Sequence, residues 1–94
     1  MDNVIILKFE KSLTGLAGYD FGMETYNKQV DGKVDFSKEI TLIFPENIQR
    51  IASSFVQGFF EKIIQQIGIS GVRDSIIIKS SRVNMKEKIV NNLM

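Results

Sequence analysis

Neither cysteine nor histidine occurs among the 94 residues. The chain therefore has no thiolate nucleophile, no imidazole base and none of the usual zinc ligands. The carboxylates that could pair for acid–base work, Asp31 with Asp35 and Glu61 with Asp74, fall in expected loops or on expected solvent faces. No apolar setting is there to raise a pKa. Gly15-Leu16-Ala17-Gly18 lies between a strand and a helix, where a phosphate-cradling turn would lie. It has neither the Gly-x-x-x-x-Gly-Lys-Ser/Thr nor the Gly-x-Gly-x-x-Gly spacing, and reads as a plain turn. Lys79, Arg82, Lys86 and Lys88 make the one local basic cluster, diluted by Glu87 and without aromatics to stack bases, so they read as a solvated face. What remains is the pair Ser53-Ser54, at the expected start of the clearest helix. Free backbone N–H groups and the helix dipole there favour negative charge, including an added phosphate, although a serine is also the ordinary helix cap. The expectation is a chain that is not an enzyme and uses no cofactor and no metal.

The elements that position this pair follow from periodicity. Val4-Ile5-Ile6-Leu7 with Phe9 is short and β-branched, a strand expected to be buried on at least part of both faces. A loop follows through Gly15 and Gly18. Met23, Tyr26 and Val30 share one side of a helix over about 20–30 with Asp20 as its cap, while a hairpin through Asp31-Gly32 competes for the same stretch. Ile40-Thr41-Leu42-Ile43-Phe44 is a strand stopped by Pro45, and 45–52 reads as a turn. The main helix runs over 54–67, with Ser53 as N-cap and Gly68 ending it. Ile76-Ile77-Ile78 centres a third strand over 74–79, and Asn84 with Glu87 opens a last helix whose stripe is Met85, Ile89, Val90, Leu93 and Met94. Strand–helix alternation of this kind gives an α/β fold: a small mostly parallel or mixed sheet with helices packed on it, in the order β-α-β-α-β-α.

A 44% hydrophobic content suits one compact core, so residues 1–94 read as a single domain. The formal net charge of +1 offers no general attraction to nucleic acid or anionic lipid. No apolar run approaches the roughly 18 residues of a membrane span, and no leader pattern is visible, so the expected place is the cytoplasm, with no nucleic acid and no membrane as partner.

On the main helix, Phe59 and Phe60 sit inside the apolar arc, whereas Phe55 lies at its edge beside Gly58, Lys62, Gln65 and Gln66. An exposed Phe55 next to a glycine that admits another backbone would make a contact point for a partner. The stretch from Ile40 to Ile67 resembles the STAS-like domain family, relatives of the domain shared by sulfate transporters and anti-sigma factor antagonists. The resembling residues are the strand Ile40–Phe44, the short linker, and Ile51-Ala52-Ser53-Ser54-Phe55-Val56-Gln57-Gly58-Phe59-Phe60, similar to the family's Ser-Phe-headed helix. The later strand and terminal helix fit the same order, so the resemblance covers about 39–93.

The resemblance implies no catalytic activity and regulation by docking, to a partner that in related antagonists is a histidine-kinase-like ATP-binding protein. Their Asp-Ser-Ser-Gly falls on Ala52, Ser53, Ser54 and Phe55, which makes Ser54 the candidate phosphoacceptor; Ala52 replaces the acid and Phe55 the glycine. The expected function is a regulatory interaction domain that docks through Ser53, Ser54, Phe55, Gly58 and Lys62. The alternative is a small phage-type accessory or inhibitor protein that occludes a host protein. Nothing in the residues fixes the oligomeric state.

Overall fold

The computed structural model describes residues 3–82 and 84–93. In chain order the elements are β1 (Val4–Ile6), β2 (Gly15–Leu16), α1 (Tyr19–Gln29), β3 (Ile40–Ile43), β4 (Arg50–Ile51), α2 (Ser53–Ser75), β5 (Ile76–Lys79) and α3 (Met85–Leu93). β1, β3 and β5 form a parallel sheet in that spatial order, and β2 pairs with β4 in a separate parallel ladder. The α/β class and the alternation of the main elements are as expected.

The topology decides which sheet face is covered. Each crossover carries the chain one strand further in the same direction, and right-handed crossovers that all step the same way put their helices on one face. The register places Ile5, Leu42 and Ile78 in one row across the sheet, with Ile40 beside Ile76 in another, and all of these pack into or against the core. Val4, Thr41 and Ile77, and then Ile6, Ile43 and Lys79, form the rows of the opposite face. No described helix covers that face: Ile6 is 64% exposed and Val4 45%. The expectation that the first strand is buried on both sides therefore fails, because two crossovers stepping one way supply a single helical layer.

That layer sits very close. Gly22 of α1 and Gly58 of α2 face each other's helix backbone: a Cβ on Gly22 would come within 2.7 Å of the Phe59 nitrogen, and one on Gly58 within 2.8 Å of the Tyr19 carbonyl carbon. Only glycine lets the two helices approach this far. The close crossing lets Phe55, Phe59 and Phe60, all buried, stack and edge-pack beneath α1, with Tyr26 set edge-on against Phe59.

Several boundaries differ from the sequence reading for local reasons. The helix forms over 19–29 and the competing hairpin does not; Gly18, with φ of 104°, precedes it as N-cap, and Asp20 lies in its first turn. Gly68 does leave the helix, with φ of 73°, but the chain resumes helical geometry at once and continues to Ser75, so β5 begins at Ile76. The two stretches read as loop and turn contain β2 and β4. They are held together by Gln49 and Arg50 N–H groups donating to the Thr14 carbonyl, by Ala52 N–H donating to Leu16, and by the Asn47 side chain donating to Leu13 at 2.6 Å. The contribution expected of Met94 to the last apolar stripe lies outside the described residues.

Candidate functional site

The leading end of α2 is built differently from the exposed contact point that Phe55 and Gly58 suggest. α2 starts at Ser53, with Ala52 as N-cap and no side-chain capping bond. Ser53 is exposed. Ser54 is half-buried, and its hydroxyl oxygen accepts a 2.9 Å hydrogen bond from the Gly18 N–H. Ser54 thus fastens the residue that opens α1 to the residue that opens α2, a long-range pairing invisible in local spacing.

Phe55 is 1% exposed, which removes it as a surface anchor. Its ring stacks on Phe59 and meets Phe21 and Phe9 edge-on, with centroids 5.5 Å from Phe21 and 6.3 Å from Phe9. A helical wheel drawn for α2 against the sheet alone puts Phe55 at the edge of the buried arc, because the wheel omits α1. Gly58 is buried for the same reason: the backbone it admits is that of Tyr19, within the same chain. Lys62, half-buried, donates to Asn27 Oδ1 at 2.7 Å and places its ammonium 5.9 Å from the centre of the Tyr26 ring, so it too faces α1.

Of the five residues Ser53, Ser54, Phe55, Gly58 and Lys62, the structure leaves Ser53 open and ties the others to α1. In place of Phe55, the aromatics in water at this end are Tyr19, 39% exposed, and Phe21, 36% exposed, both in the first turn of α1. The Tyr19 hydroxyl donates to Glu61 of α2. That hydrogen bond, then desolvation, then the nearby Glu61 and Asp20 charges hold the phenol above its ordinary pKa. The outcome is a two-helix lip: Tyr19 and Phe21 in the first turn of α1, Ser53 at the head of α2, and Asp20 and Glu61 as acidic neighbours of Tyr19. Phe21 was missed because it falls on the other side of α1 from the Met23, Tyr26 and Val30 stripe, and Tyr19 because it falls inside that stripe, where burial is the default reading. For Phe21, an aromatic on a face otherwise polar was the signal available; for Tyr19, local spacing carries none.

The other sequence candidates are scattered. Asp35 is exposed, and its carboxylate accepts from the Ser37 hydroxyl at 2.6 Å and from the Ser37 N–H at 2.9 Å. These bonds hold it below the usual carboxylate range, with Lys38 adding a smaller pull. The bonds close a loop that the Asn3 side chain clamps to β1. Asp31 is exposed and Asp74 pairs with its neighbour Arg73 at 3.2 Å, so neither carboxylate pair converges. Gly15 and Gly18 belong to β2 and the start of α1. The basic cluster divides: Lys79 ends β5, while Arg82 and Lys88 line an open groove together with Arg50. Among the described residues, no three acidic side chains converge as a metal site would require, and no helix is long and apolar enough to cross a membrane. No protein-family model, no curated protein and no solved structure matches the chain.

Proposed function

We propose that this chain is a non-catalytic, STAS-like regulatory domain that docks on a protein partner through the paired leading ends of α1 and α2. The carrying observation is that Tyr19 and Phe21 stand partly in water at the place where Ser54 joins the two helices. Partly exposed aromatics backed by a rigid, close-packed layer are suited to anchor a partner. Asp20 and Glu61 beside Tyr19 call for a partner whose contact face is apolar with a basic rim.

The resemblance to anti-sigma factor antagonists supports a histidine-kinase-like ATP-binding protein as that partner, with Ser54 as the residue it modifies. The Ser54 hydroxyl already holds Gly18, so a phosphate on it needs the space of the Gly18 backbone. The first turn of α1 would have to shift, carrying Tyr19 and Phe21 with it and breaking the docking face. Ala52 and Phe55, which stand where the antagonists have an acid and a glycine, alter the approach to Ser54 and leave the lip itself in place.

Affinity capture from the native cell tests the reading, with wild type, Tyr19→Ala/Phe21→Ala and Ser54→Glu compared at equal folded fraction by circular dichroism. An ATP-binding protein captured by wild type and lost at least tenfold by both variants is the expected result. Undiminished capture by the Tyr19→Ala/Phe21→Ala variant, or the absence of an ATP-binding protein among the wild-type captures, overturns it.

A further inference from the structure

The stretches that sequence reasoning treats as loops line a second surface, Ala17 and Ala52 among them. β2 and β4 form one wall of an open groove of about 1010 Å³, and Ser81, Arg82 and α3 form the other. It lies past the carboxyl ends of β3 and β5, the end of a parallel α/β sheet where ligands characteristically bind. Leu16, Met85 and Ile89 lie buried beneath its floor, and the apolar side chains that reach its surface are Ala17, Ile51 and Ala52. From α3 it takes Met85, Lys88, Ile89 and Asn92, the i, i+3, i+4, i+7 set of one helix face.

The charge of the groove is one-sided. Arg50 from the β4 wall and Arg82 and Lys88 from the opposite wall all line it, and none of its lining residues is acidic. Among the described residues, none of the three cations is in a salt bridge. A molecule near neutral overall, with a net charge of +1, has thus gathered three cations around an apolar floor, and it did so from segments 32 residues apart between Arg50 and Arg82. Were this only a solvated surface, the acidic residues that balance the chain elsewhere would be interspersed here too. Two guanidinium groups suit the oxygens of a phosphate, which they bind through paired N–H donors, and a third cation matches its second negative charge.

We infer that this groove is a binding site for a phosphate monoester with an apolar body: the phosphate between Arg50, Arg82 and Lys88, the body on Ala17, Ile51 and Ala52. The floor lacks an aromatic plane for base stacking, which favours an aliphatic or single-ring body over a nucleotide. This inference is independent of the docking function, since the groove shares none of Tyr19, Phe21, Ser53 and Ser54.

The test is a map of backbone amide shifts on the full chain, titrated separately with phenyl phosphate, inorganic phosphate and phenol at fixed ionic strength. Phenyl phosphate is expected to shift the amides of 15–17, 50–52 and 84–89 saturably. Inorganic phosphate should bind there at least fivefold more weakly and phenol at least tenfold more weakly. Arg50→Gln/Lys88→Gln should lose at least tenfold in affinity for phenyl phosphate, and Lys79→Gln, which removes a cation outside the groove, less than twofold. Equal affinity for inorganic phosphate would overturn the role of the apolar floor. Absence of saturable shifts, or shifts confined to the open sheet face or the docking lip, would overturn the site. Should the double variant fail to fold, the wild-type shift map with its three ligands separates these outcomes without it.

Discussion

The two faces of the three-stranded sheet carry nearly the same side chains and meet opposite surroundings. Ile5, Leu42 and Ile78 look toward α1 and α2 and join the core; Val4, Ile6, Ile43 and Ile77 look away. Leu42 is fully buried, whereas Ile6, one strand over and one position along, is the most exposed large hydrophobic described. Parallel sheets are ordinarily covered on both faces, so their strands read as unbroken apolar runs. This one has such runs and a single helical layer. The difference shows that an apolar run records the capacity to be covered on two sides, while the connections decide how many sides are covered.

The comparison can be broken most severely on the covered face. Leu42→Ala should cost about 3 kcal/mol, the transfer term plus a cavity that its neighbours fill only partly, read as a lower denaturant midpoint with unchanged slope. Gly58→Ala attacks the same layer from above. Its methyl group would fall on the Tyr19 backbone, which cannot yield as a flexible side chain can, and about 2–3 kcal/mol of overpacking is expected, together with weakened protection of α1 amides from hydrogen exchange. Gly68→Ala separates backbone strain from crowding. Nothing lies within 4 Å of an added Cβ there, so only the positive φ resists it, and about 1–2 kcal/mol is expected. On the open face, Ile6→Ala should shift stability by no more than about 0.5 kcal/mol; a loss as large as that of Leu42→Ala would mean that the face is covered in solution.

The smallest expected effect concerns the loop that Asn3 clamps to β1. Asp35 is held below its ordinary pKa chiefly by the Ser37 hydroxyl and N–H. A carboxyl whose folded pKa is depressed contributes stability that is present above its unfolded pKa and lost as pH falls through the folded one. Asp35→Asn should therefore lower the melting temperature slightly at neutral pH, and the gap from wild type should close as the pH drops below the ordinary aspartate value of 3.8. Because Asp35 is exposed, added salt should narrow the gap as well.

The core-forming strands and the three helices were legible because their signals are local. Ile40–Ile43 and Ile76–Lys79 are β-branched runs bounded by breakers, and the α2 apolar arc is long enough to exclude a strand. β2 and β4 were illegible because a two-residue ladder has no periodicity. It exists through Asn47 and the Thr14 carbonyl, whose partners lie more than thirty positions away. The candidate site was half legible. Ser53 and Ser54 are where the sequence places them, at the head of α2, but Phe55 and Gly58 were assigned to the surface because nothing local reveals that α1 lies over them.

Residue order alone was enough to specify an α/β alternation, a phenylalanine-rich helix headed by two serines, and a lack of thiol and imidazole chemistry. These follow from residue type and from interactions within a few turns of the chain. The assembled fold was needed to leave one sheet face bare, to put Tyr19 and Phe21 in water in place of Phe55, and to bring Arg50 across a groove from Arg82 and Lys88. Each of those depends on segments brought together by crossover direction and by a glycine-mediated helix approach, and no window along the chain contains both partners.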